Sequence, residues 1–347
     1  MTSRVLVMYA GNILEEGPTQ ELLMEPFHPY TRGLIYSSPA VNPYRDMWGI
    51  PGEIENSGEG ACPFYKRCSQ RIEQCACSHP VLETVCRKRS VSCLRGGIVT
   101  LLHGNGLKKE YRTGKRMIKA CRGCDIEIKA GEVCALIGES GSGKTTLAEI
   151  LSGILRPDDG KIVFDGKCID GNSATSKIGG IQIVFQDPLS ATNERLSIEE
   201  IVREPLDILH NGTKDERTAS VKEALKNVQL AYDAAFLKKR GFMLSGGQRQ
   251  RVAVARALVM RPKLLIADEI SAMLDPSTAA NLLRLLKGLQ NTEGFAMLYI
   301  THDLALAQKI SDQVYVMHEG VIIEQGPAKD VLRNPKEAYT KLLLGRT

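Results

Sequence analysis

A glycine-rich loop ending in a lysine and two threonines is the first group of residues whose spacing could do chemistry. It reads GESGSGKTT and fits the pattern G-x-x-x-x-G-K-T. Glycines let successive backbone N–H groups close on phosphate oxygens. We expect Lys144 to reach the β- and γ-phosphates of a nucleotide and the Thr145 hydroxyl to ligate Mg²⁺. The loop residues predicted to bind nucleotide are Gly138, Glu139, Ser140, Gly141, Ser142, Gly143, Lys144, Thr145 and Thr146.

A pair of carboxylates, Asp268 and Glu269, comes directly after an apolar run at 264–267. Alone, such a pair is usually a solvated strand end. In a chain that also carries a phosphate-binding loop, it is typical of a Walker B element. Asp268 is then expected to hold Mg²⁺ through water, and Glu269 to polarise the attacking water as a general base.

Both groups follow apolar runs that are typical of buried parallel strands. The run VCALI at 133–137 precedes the loop, and the helical sequence LAEILSGIL follows it. This order of strand, loop and helix is the context that confirms a phosphate-binding loop. The helix N-terminus adds positive potential where the phosphates would bind.

The segment LSGGQRQR at 244–251 resembles the signature sequence of ATP-binding cassette proteins. The resemblance covers 98–347 and implies an α/β fold. That fold is a P-loop NTPase with a RecA-like core, an antiparallel β subdomain and a helical subdomain at about 187–247. It also implies that one ATP is sandwiched between Lys144 of one domain and Ser245 of another, so that a dimer forms the active site. The signature residues implied to contact ATP are Ser245, Gly246, Gly247 and Gln248.

Four further positions match motifs of the same family. Gln186, in IVFQDP, resembles the Q-loop glutamine and is implied to act in catalysis and at Mg²⁺. His302, in YITHDL, resembles the switch histidine that contacts the γ-phosphate. Asp275 resembles the D-loop aspartate, and Tyr111 lies where the family stacks an aromatic ring on adenine. The implied catalytic residues are therefore Glu269, His302 and Gln186, and the implied Mg²⁺ residues are Thr145, Gln186 and Asp268.

Two departures from the family pattern stand near these motifs. Ala272 replaces a D-loop serine, which puts the coupling across the dimer interface in question. Cys121 and Cys124 form a C-x-x-C pattern in a place that is usually apolar. A redox or zinc site is one interpretation of that pattern. Since no second close pair is near, we favour two ordinary small residues.

The stretch FQDPLSATNERLSIEEIVREPL and the C-terminal tail resemble the ATPases of oligopeptide, dipeptide and nickel importers. This resemblance implies an ATP-hydrolysing subunit of a peptide importer on the cytoplasmic face of the membrane. Its implied partners are a second cassette ATPase, two integral membrane permeases and an extracellular or periplasmic substrate-binding protein. A nickel importer of the same family is an alternative. Another is a soluble cassette ATPase that remodels or activates a metalloenzyme.

An internal repeat organises the chain. Residues 3–35 and 312–344 match at a constant offset of 309, including Gly17-Pro18 with Gly326-Pro327. Each copy predicts two short strands, a Gly-Pro and then a helix. We therefore predict a remnant of a first ATPase at 1–45, a cysteine-rich segment at 46–97 and a complete nucleotide-binding domain at 98–347. A self-sufficient small module at 1–45 is the alternative.

The cysteine-rich segment could hold a metal. Cys62, Cys68, Cys75 and Cys86 are the predicted ligands, and Cys77 is a spare. Their gaps are wider than those of most zinc sites. The pattern resembles the tail of the first ATPase in peptide importers, where some members hold an iron–sulfur cluster, and four thiolates suit a [4Fe–4S] cluster. A [4Fe–4S] cluster, zinc and no metal all remain open.

Composition excludes several classes of protein. The net charge of +5 is too small to indicate nucleic-acid binding, so no nucleic acid is expected. No run of 18 apolar residues occurs, which argues against a transmembrane helix. No long apolar segment follows Met1, so we expect no signal peptide.

Overall fold

The structure is a computed structural model that describes residues 3–38, 48–55, 58, 60–114, 116–169, 177–187 and 195–345. It divides into two compact units, and each is described by itself. The first unit comprises 1–100, 129–131 and 290–294, and the second comprises 101–128, 132–289 and 295–347.

The first unit is built on a four-stranded sheet with the order β1-β2-β4-β3. Its strands are β1 (Arg4–Tyr9), β2 (Asn12–Pro18), β3 (Leu82–Cys86) and β4 (Arg89–Ser92). Its helices are α1 (Thr19–Met24) and α2 (Pro29–Tyr36), and two 3-10 turns follow at Tyr65–Arg67 and Glu73–Ala76. Since β2 pairs with β4, the two N-terminal segments separated by the sequence analysis share one sheet.

A buried ion pair lies at the centre of this unit. The Glu15 side chain is 0% exposed and the Arg89 side chain 3%, and their charged atoms are 2.9 Å apart. Glu15 also accepts hydrogen bonds from the backbone N–H groups of Phe27 and His28, both at 2.8 Å. The Arg89 guanidinium lies 3.6 Å from the centre of the Phe27 ring. The carboxylate thus links β2, β4 and the start of α2.

The second unit has a six-stranded sheet with the order β10-β11-β12-β7-β13-β14. All of these strands run parallel except β14, which pairs antiparallel with β13. Strands β7, β11 and β12 are buried along their whole length, as their unbroken apolar sequences predict. The strands are β7 (Val133–Ile137), β10 (Ile181–Val184), β11 (Leu264–Asp268), β12 (Ala296–Thr301), β13 (Gln313–His318) and β14 (Val321–Pro327).

A second, antiparallel sheet and a group of helices complete the unit. The sheet has the order β6-β5-β8-β9, from β5 (Thr100–Thr113), β6 (Arg116–Lys129), β8 (Asp159–Phe164) and β9 (Lys167–Cys168). The predicted helical subdomain contains α4 (Ile198–Ile208), α5 (Lys214–Asn227) and α6 (Ala234–Leu237), while residues 188–194 of that prediction lie outside the described residues. The other helices are α3 (Lys144–Ser152), α7 (Gly246–Leu258), α8 (Pro276–Glu293), α9 (Leu304–Ile310), α10 (Ala328–Arg333) and α11 (Ala338–Leu343).

The internal repeat is visible as repeated structure. Strands β1 and β2 match β13 and β14, and the helices after the Gly-Pro begin at Thr19 and Ala328, as predicted. Both hairpins shift register at the same place, between Val7 and Met8 and between 316 and 317. Glu324 accepts hydrogen bonds from the backbone N–H groups of residues 336 and 337. Glu15 accepts the equivalent bonds from residues 27 and 28, which lie 309 positions earlier. The sequence repeat is therefore a repeat of backbone hydrogen bonding as well.

None of the helices among the described residues has the length and apolar character that a membrane crossing requires.

Candidate functional site

The phosphate-binding loop connects β7 to α3 through glycines that no other residue could replace. Gly138 and Gly143 have φ angles of 157° and 108°. A Cβ on Gly138 would lie 2.2 Å from the Met317 carbonyl oxygen, and one on Gly143 would lie 2.1 Å from that of Ala120. No side chain caps the start of α3. The backbone N–H groups at the start of α3 are therefore left without a side-chain cap, which is compatible with the predicted phosphate site.

The Lys144 side chain lies inside this loop. Its Nζ donates hydrogen bonds to the carbonyl oxygens of Gly138 at 2.9 Å and Glu139 at 2.8 Å. Burial lowers the pKa of Lys144, and the nearby carboxylates of Glu269 and Asp268 oppose that shift. The ammonium group is thus placed at the loop where phosphates would bind.

Thr145 and Asp268, two of the three predicted Mg²⁺ residues, are in contact. The Thr145 hydroxyl hydrogen-bonds to the Asp268 carboxylate, although burial is the larger effect and raises the pKa of that carboxyl group. Asp268 is 3% exposed, and its Oδ1 has no hydrogen-bond partner within the described structure. A buried carboxylate oxygen without a donor suits a cation. The donor set thus fits Mg²⁺.

Glu269 and His302 come together at the ends of neighbouring strands. Glu269 follows β11 and His302 follows β12, and Glu269 Oε1 lies 3.8 Å from His302 Nδ1 and 3.9 Å from Lys144 Nζ. Glu269 has a φ of 45°, in the left-handed region that non-glycine residues seldom occupy. Its carboxylate therefore lies between the lysine and the histidine, as a general base near a γ-phosphate requires.

A cleft of about 670 Å³, within the size range of small-ligand sites, is lined by Lys144, Thr145 and Glu269, while Asp268 and His302 lie outside its lining. Residues predicted from the sequence that line it are Tyr111, Ser140, Gly141, Gly143, Lys144, Thr145, Thr146, Gln186 and Glu269. A second group of lining residues, which the sequence motifs do not predict, comes from β6 and the β13–β14 turn and comprises Met117, Ile118, Lys119, Ala120, Arg122, Glu319 and Gly320. Apolar residues near Tyr111 in the sequence could have indicated these further lining residues. The alternation of side chains along a strand does not say, however, whether they face the same side as Tyr111.

The signature residues lie outside the lining of this cleft. Ser245 caps α7: its Oγ accepts from the Gln248 N–H at 3.3 Å, while its own N–H donates to Gln248 Oε1. Ser245 and Gly246 are exposed, and Gly247 is half-buried. Asp275 caps α8 in a similar way by accepting from Thr278 N–H at 3.0 Å. These residues are thus free to meet a nucleotide held by another domain.

The predicted cysteine ligands lie in different surroundings. Cys62 and Cys68 have raised pKa values, that of Cys68 to about 12, mainly because of burial and also because other thiols, including Cys75 and Cys93, are near. Cys86, the predicted fourth ligand, is exposed on β3, and its place among the ligands stays a prediction. Within the described residues, no three His, Cys, Asp or Glu side chains are arranged to hold a metal.

Two family models match the chain. The ABC transporter model matches residues 121–272, which contain the phosphate-binding loop and Asp268-Glu269. The model of the oligopeptide/dipeptide transporter C-terminal region matches twice, at 14–75 and 323–346. The double match falls on the two copies of the internal repeat.

Curated relatives agree with these models. The chain is 33% identical to the oligopeptide transport ATP-binding protein OppD of Mycobacterium tuberculosis, over 99% of this chain and 62% of that protein. It is 34% identical to the glutathione import ATP-binding protein GsiA of Salmonella typhimurium, over 99% and 53%. The chain thus spans about half to two thirds of their length. With OppF of Streptococcus pyogenes, also an oligopeptide transport ATP-binding protein, it shares 39% identity over 70% of this chain and 80% of that protein.

Solved structures match the cassette part of the chain. CbiO1 of Clostridium perfringens, part of the transporter complex cbiONQ, is 35% identical over 68% of this chain and 91% of its own, with a TM-score of 0.59. A dimeric cassette, MJ0796, solved with ADP and Pi, covers 66% of this chain at 29% identity and the same TM-score. Together with the loop, the paired carboxylates and the relatives, these matches show that the chain belongs to the ATP-binding cassette family of transporter ATPases.

Proposed function

We propose that this chain is the ATP-hydrolysing subunit of a membrane importer for peptides. The grouping of Lys144, Thr145 and Glu269 in one cleft carries the proposal, together with the contact of Asp268 with Thr145 and the 3.8 Å between His302 Nδ1 and Glu269 Oε1. No further residue type is needed for phosphoryl transfer to water, since the protein mainly positions groups and stabilises charge.

The described side chains divide the work of hydrolysis. Lys144 exchanges its two carbonyl partners for oxygens of the β- and γ-phosphates. Glu269 accepts a proton from the attacking water, and His302 and Gln186 contact the γ-phosphate. Thr145, Gln186 and Asp268 would hold Mg²⁺, which neutralises phosphate charge when bound. A second cassette domain supplies Ser245 and its neighbours to close the site.

The peptide importer assignment rests on the segment beyond the ATP site. The oligopeptide/dipeptide transporter region matches at both copies of the repeat, and three relatives are named for oligopeptide or glutathione import. This supports a chain that pairs with a second cassette ATPase beneath two permeases at the cytoplasmic face. A substrate-binding protein would deliver the peptide from outside.

A trapped complex tests both the chemistry and the partners. Glu269→Gln removes the general base while leaving the ATP contacts, so ATP should hold the dimer closed. We expect the tagged variant, purified from native membranes with ATP and Mg²⁺, to retain two permeases and a second cassette ATPase. Steady-state hydrolysis should fall at least about a hundredfold.

Lys144→Ala in the Glu269→Gln background is the matched control, because it removes the phosphate contact needed for trapping. It should release the partner ATPase. Recovery of the trapped protein only with a soluble metalloenzyme would support the remodelling ATPase instead. A neighbouring binding protein that takes nickel rather than peptides would support the nickel importer.

We also propose that Cys62, Cys68, Cys75 and Cys93 form the ligand set of a metal centre, with a [4Fe–4S] cluster as its occupant. Four thiolates suit such a cluster in chemistry, and these four thiols are near one another. Because the described side chains do not already form a metal-binding group, the cluster would have to draw its ligands together. Iron and sulfide analysis after anaerobic reconstitution tests it. Cys93→Ser should lose the iron and the absorption near 400 nm, and Cys86→Ser should keep both. Zinc in place of iron, or no metal in the wild type, would reject the cluster.

A further inference from the structure

A pair of buried hydroxyl groups links the segments that carry Glu269 and His302. Tyr299 lies in β12, three residues before His302, and is 0% exposed. Ser271 is also buried and lies two residues after Glu269. The Ser271 Oγ and the Tyr299 hydroxyl oxygen are 3.0 Å apart. The ends of β11 and β12 are thus joined by a side-chain bond in addition to their ladder.

The backbone of Glu269 needs this kind of support. Its φ of 45° is unfavourable for a residue with a side chain, and such conformations persist only where the surroundings hold them. Two backbone bonds contribute, from Glu269 N–H to the Ile300 carbonyl and from Ala272 N–H to the Glu269 carbonyl, both at 3.0 Å. The bond from Ser271 to Tyr299 adds a side-chain tether to the same turn.

The Tyr299 hydroxyl also reaches the segment that carries His302. It hydrogen-bonds to the side chain of Thr301, which accepts the N–H of Asp303 at 2.9 Å. Asp303 in turn accepts the Leu306 N–H at the start of α9. His302 therefore lies between two residues that are fixed by hydrogen bonds, and one of those bonds leads to Tyr299.

We propose that Tyr299 is a positioning residue for ATP hydrolysis, whose hydroxyl fixes the separation between the Glu269 carboxylate and the His302 ring through Ser271 and Thr301. This inference rests on the proposed function. The 3.8 Å between Glu269 Oε1 and His302 Nδ1 is the distance that the hydroxyl group controls.

Packing alone does not explain the hydroxyl group. The Tyr299 ring lies in the apolar core of the second unit, beside Met297 and Ala267. A phenylalanine would fill that space without a polar group to desolvate. The role of the hydroxyl group can therefore be tested apart from that of the ring, because Tyr299→Phe removes the hydrogen bonds of the hydroxyl and keeps the packing of the ring.

The test compares Tyr299→Phe, Ser271→Ala and the double variant in the complete ATPase assembly. Each should lower kcat for ATP hydrolysis about tenfold, because small misplacement of a catalytic group slows the chemical step. The dissociation constant of a non-hydrolysable ATP analogue should stay within about twofold, since Lys144 and the loop are untouched. The double variant should match Tyr299→Phe, because Ser271→Ala removes only a bond that Tyr299→Phe already breaks.

Tyr315→Phe is the matched control. Tyr315 is a buried tyrosine in β13 of the same sheet, and its hydroxyl donates to the Glu127 carbonyl at 2.6 Å. Tyr315→Phe should lower Tm by about as much as Tyr299→Phe does, but it should leave kcat unchanged. An unchanged kcat in Tyr299→Phe, an equal kcat loss in Tyr315→Phe, or multiplied losses in the double variant would overturn the inference alone. Absence of ATP hydrolysis by the wild-type assembly would overturn the proposed function and this inference together.

Discussion

The buried ion pair of the first unit gives the strongest prediction of stability. Glu15→Gln keeps the shape of the side chain but removes its charge. The Arg89 guanidinium then stays buried without a counter-charge, with the Glu25 carbonyl, the Phe27 ring and the new amide oxygen as its contacts. Breaking a buried pair by removing one partner destabilises by about 3–5 kcal/mol. We therefore expect Glu15→Gln to lower the free energy needed to open the pairing of β2 with β4 by about 3–5 kcal/mol.

The internal repeat supplies a control within the same chain. Glu324→Gln changes the counterpart residue, which accepts the same two backbone N–H groups at 2.8 and 3.2 Å. Glu324 is half-buried, so water reaches the groups left behind by the substitution. A loss of about 1 kcal/mol is expected there. The two substitutions should thus differ by at least about 2 kcal/mol.

Hydrogen–deuterium exchange read by peptide mass spectrometry measures the two copies separately. Glu15→Gln should lower protection in β2 and β4 at least about a hundredfold, and Glu324→Gln should lower it in β13 and β14 about tenfold or less. Adding Arg89→Met to Glu15→Gln should restore part of the protection, since no unpaired charge remains. Equal losses in the two copies, or no recovery in the double variant, would refute the reasoning.

Three further predictions concern the cleft and the repeat. Lys144→Ala should weaken binding of a non-hydrolysable ATP analogue by at least about 3 kcal/mol in calorimetry, because two or more charge-assisted bonds are lost; binding within tenfold of the wild type would contradict it. Burial raises the pKa of Asp268, so its contribution to stability is greatest below about pH 4 and is lost as pH rises through the folded-state pKa. We therefore expect urea unfolding without Mg²⁺ to show that the wild type loses stability relative to Asp268→Asn as the pH rises from about 4 to about 7. A difference in unfolding free energy between the two proteins that stays constant over this range would reject the prediction. Met8 is 59% exposed whereas its counterpart Met317 is 0% exposed, so Met8→Lys should leave Tm unchanged and Met317→Lys should lower it sharply.

The sequence was a good guide where a local pattern decides the structure. The strand-loop-helix order fixed the position of Lys144, and the Gly-Pro of each repeat predicted the helices that begin at Thr19 and Ala328. Such features depend on backbone conformation and on neighbours along the chain. Such features can be predicted from the sequence because glycine, proline and apolar runs each have a known effect on backbone structure.

Spacing along the chain does not say which cysteines the fold brings together. Cys86 ends β3 at an exposed edge, and the chain turns back through β4, whose residues are all buried. Cys93 follows that buried strand and therefore lies near Cys62. The hydrogen bond between Ser271 and Tyr299 could not be predicted either, because 28 positions separate the two residues and neither matches a motif.

The hydrogen bonds of Lys144 bear on which ligands the cleft can select. Nζ gives two of its three N–H donors to carbonyl oxygens, so an arriving anion can take the third at once but must displace a carbonyl for each further bond. A weakly charged ligand gains little from that exchange, while a triphosphate gains a charged acceptor for each carbonyl released. The carbonyl groups of Gly138 and Glu139 thus act as competitors for the lysine. We therefore expect affinity to rise with ligand charge and to be low for sugars and neutral nucleosides.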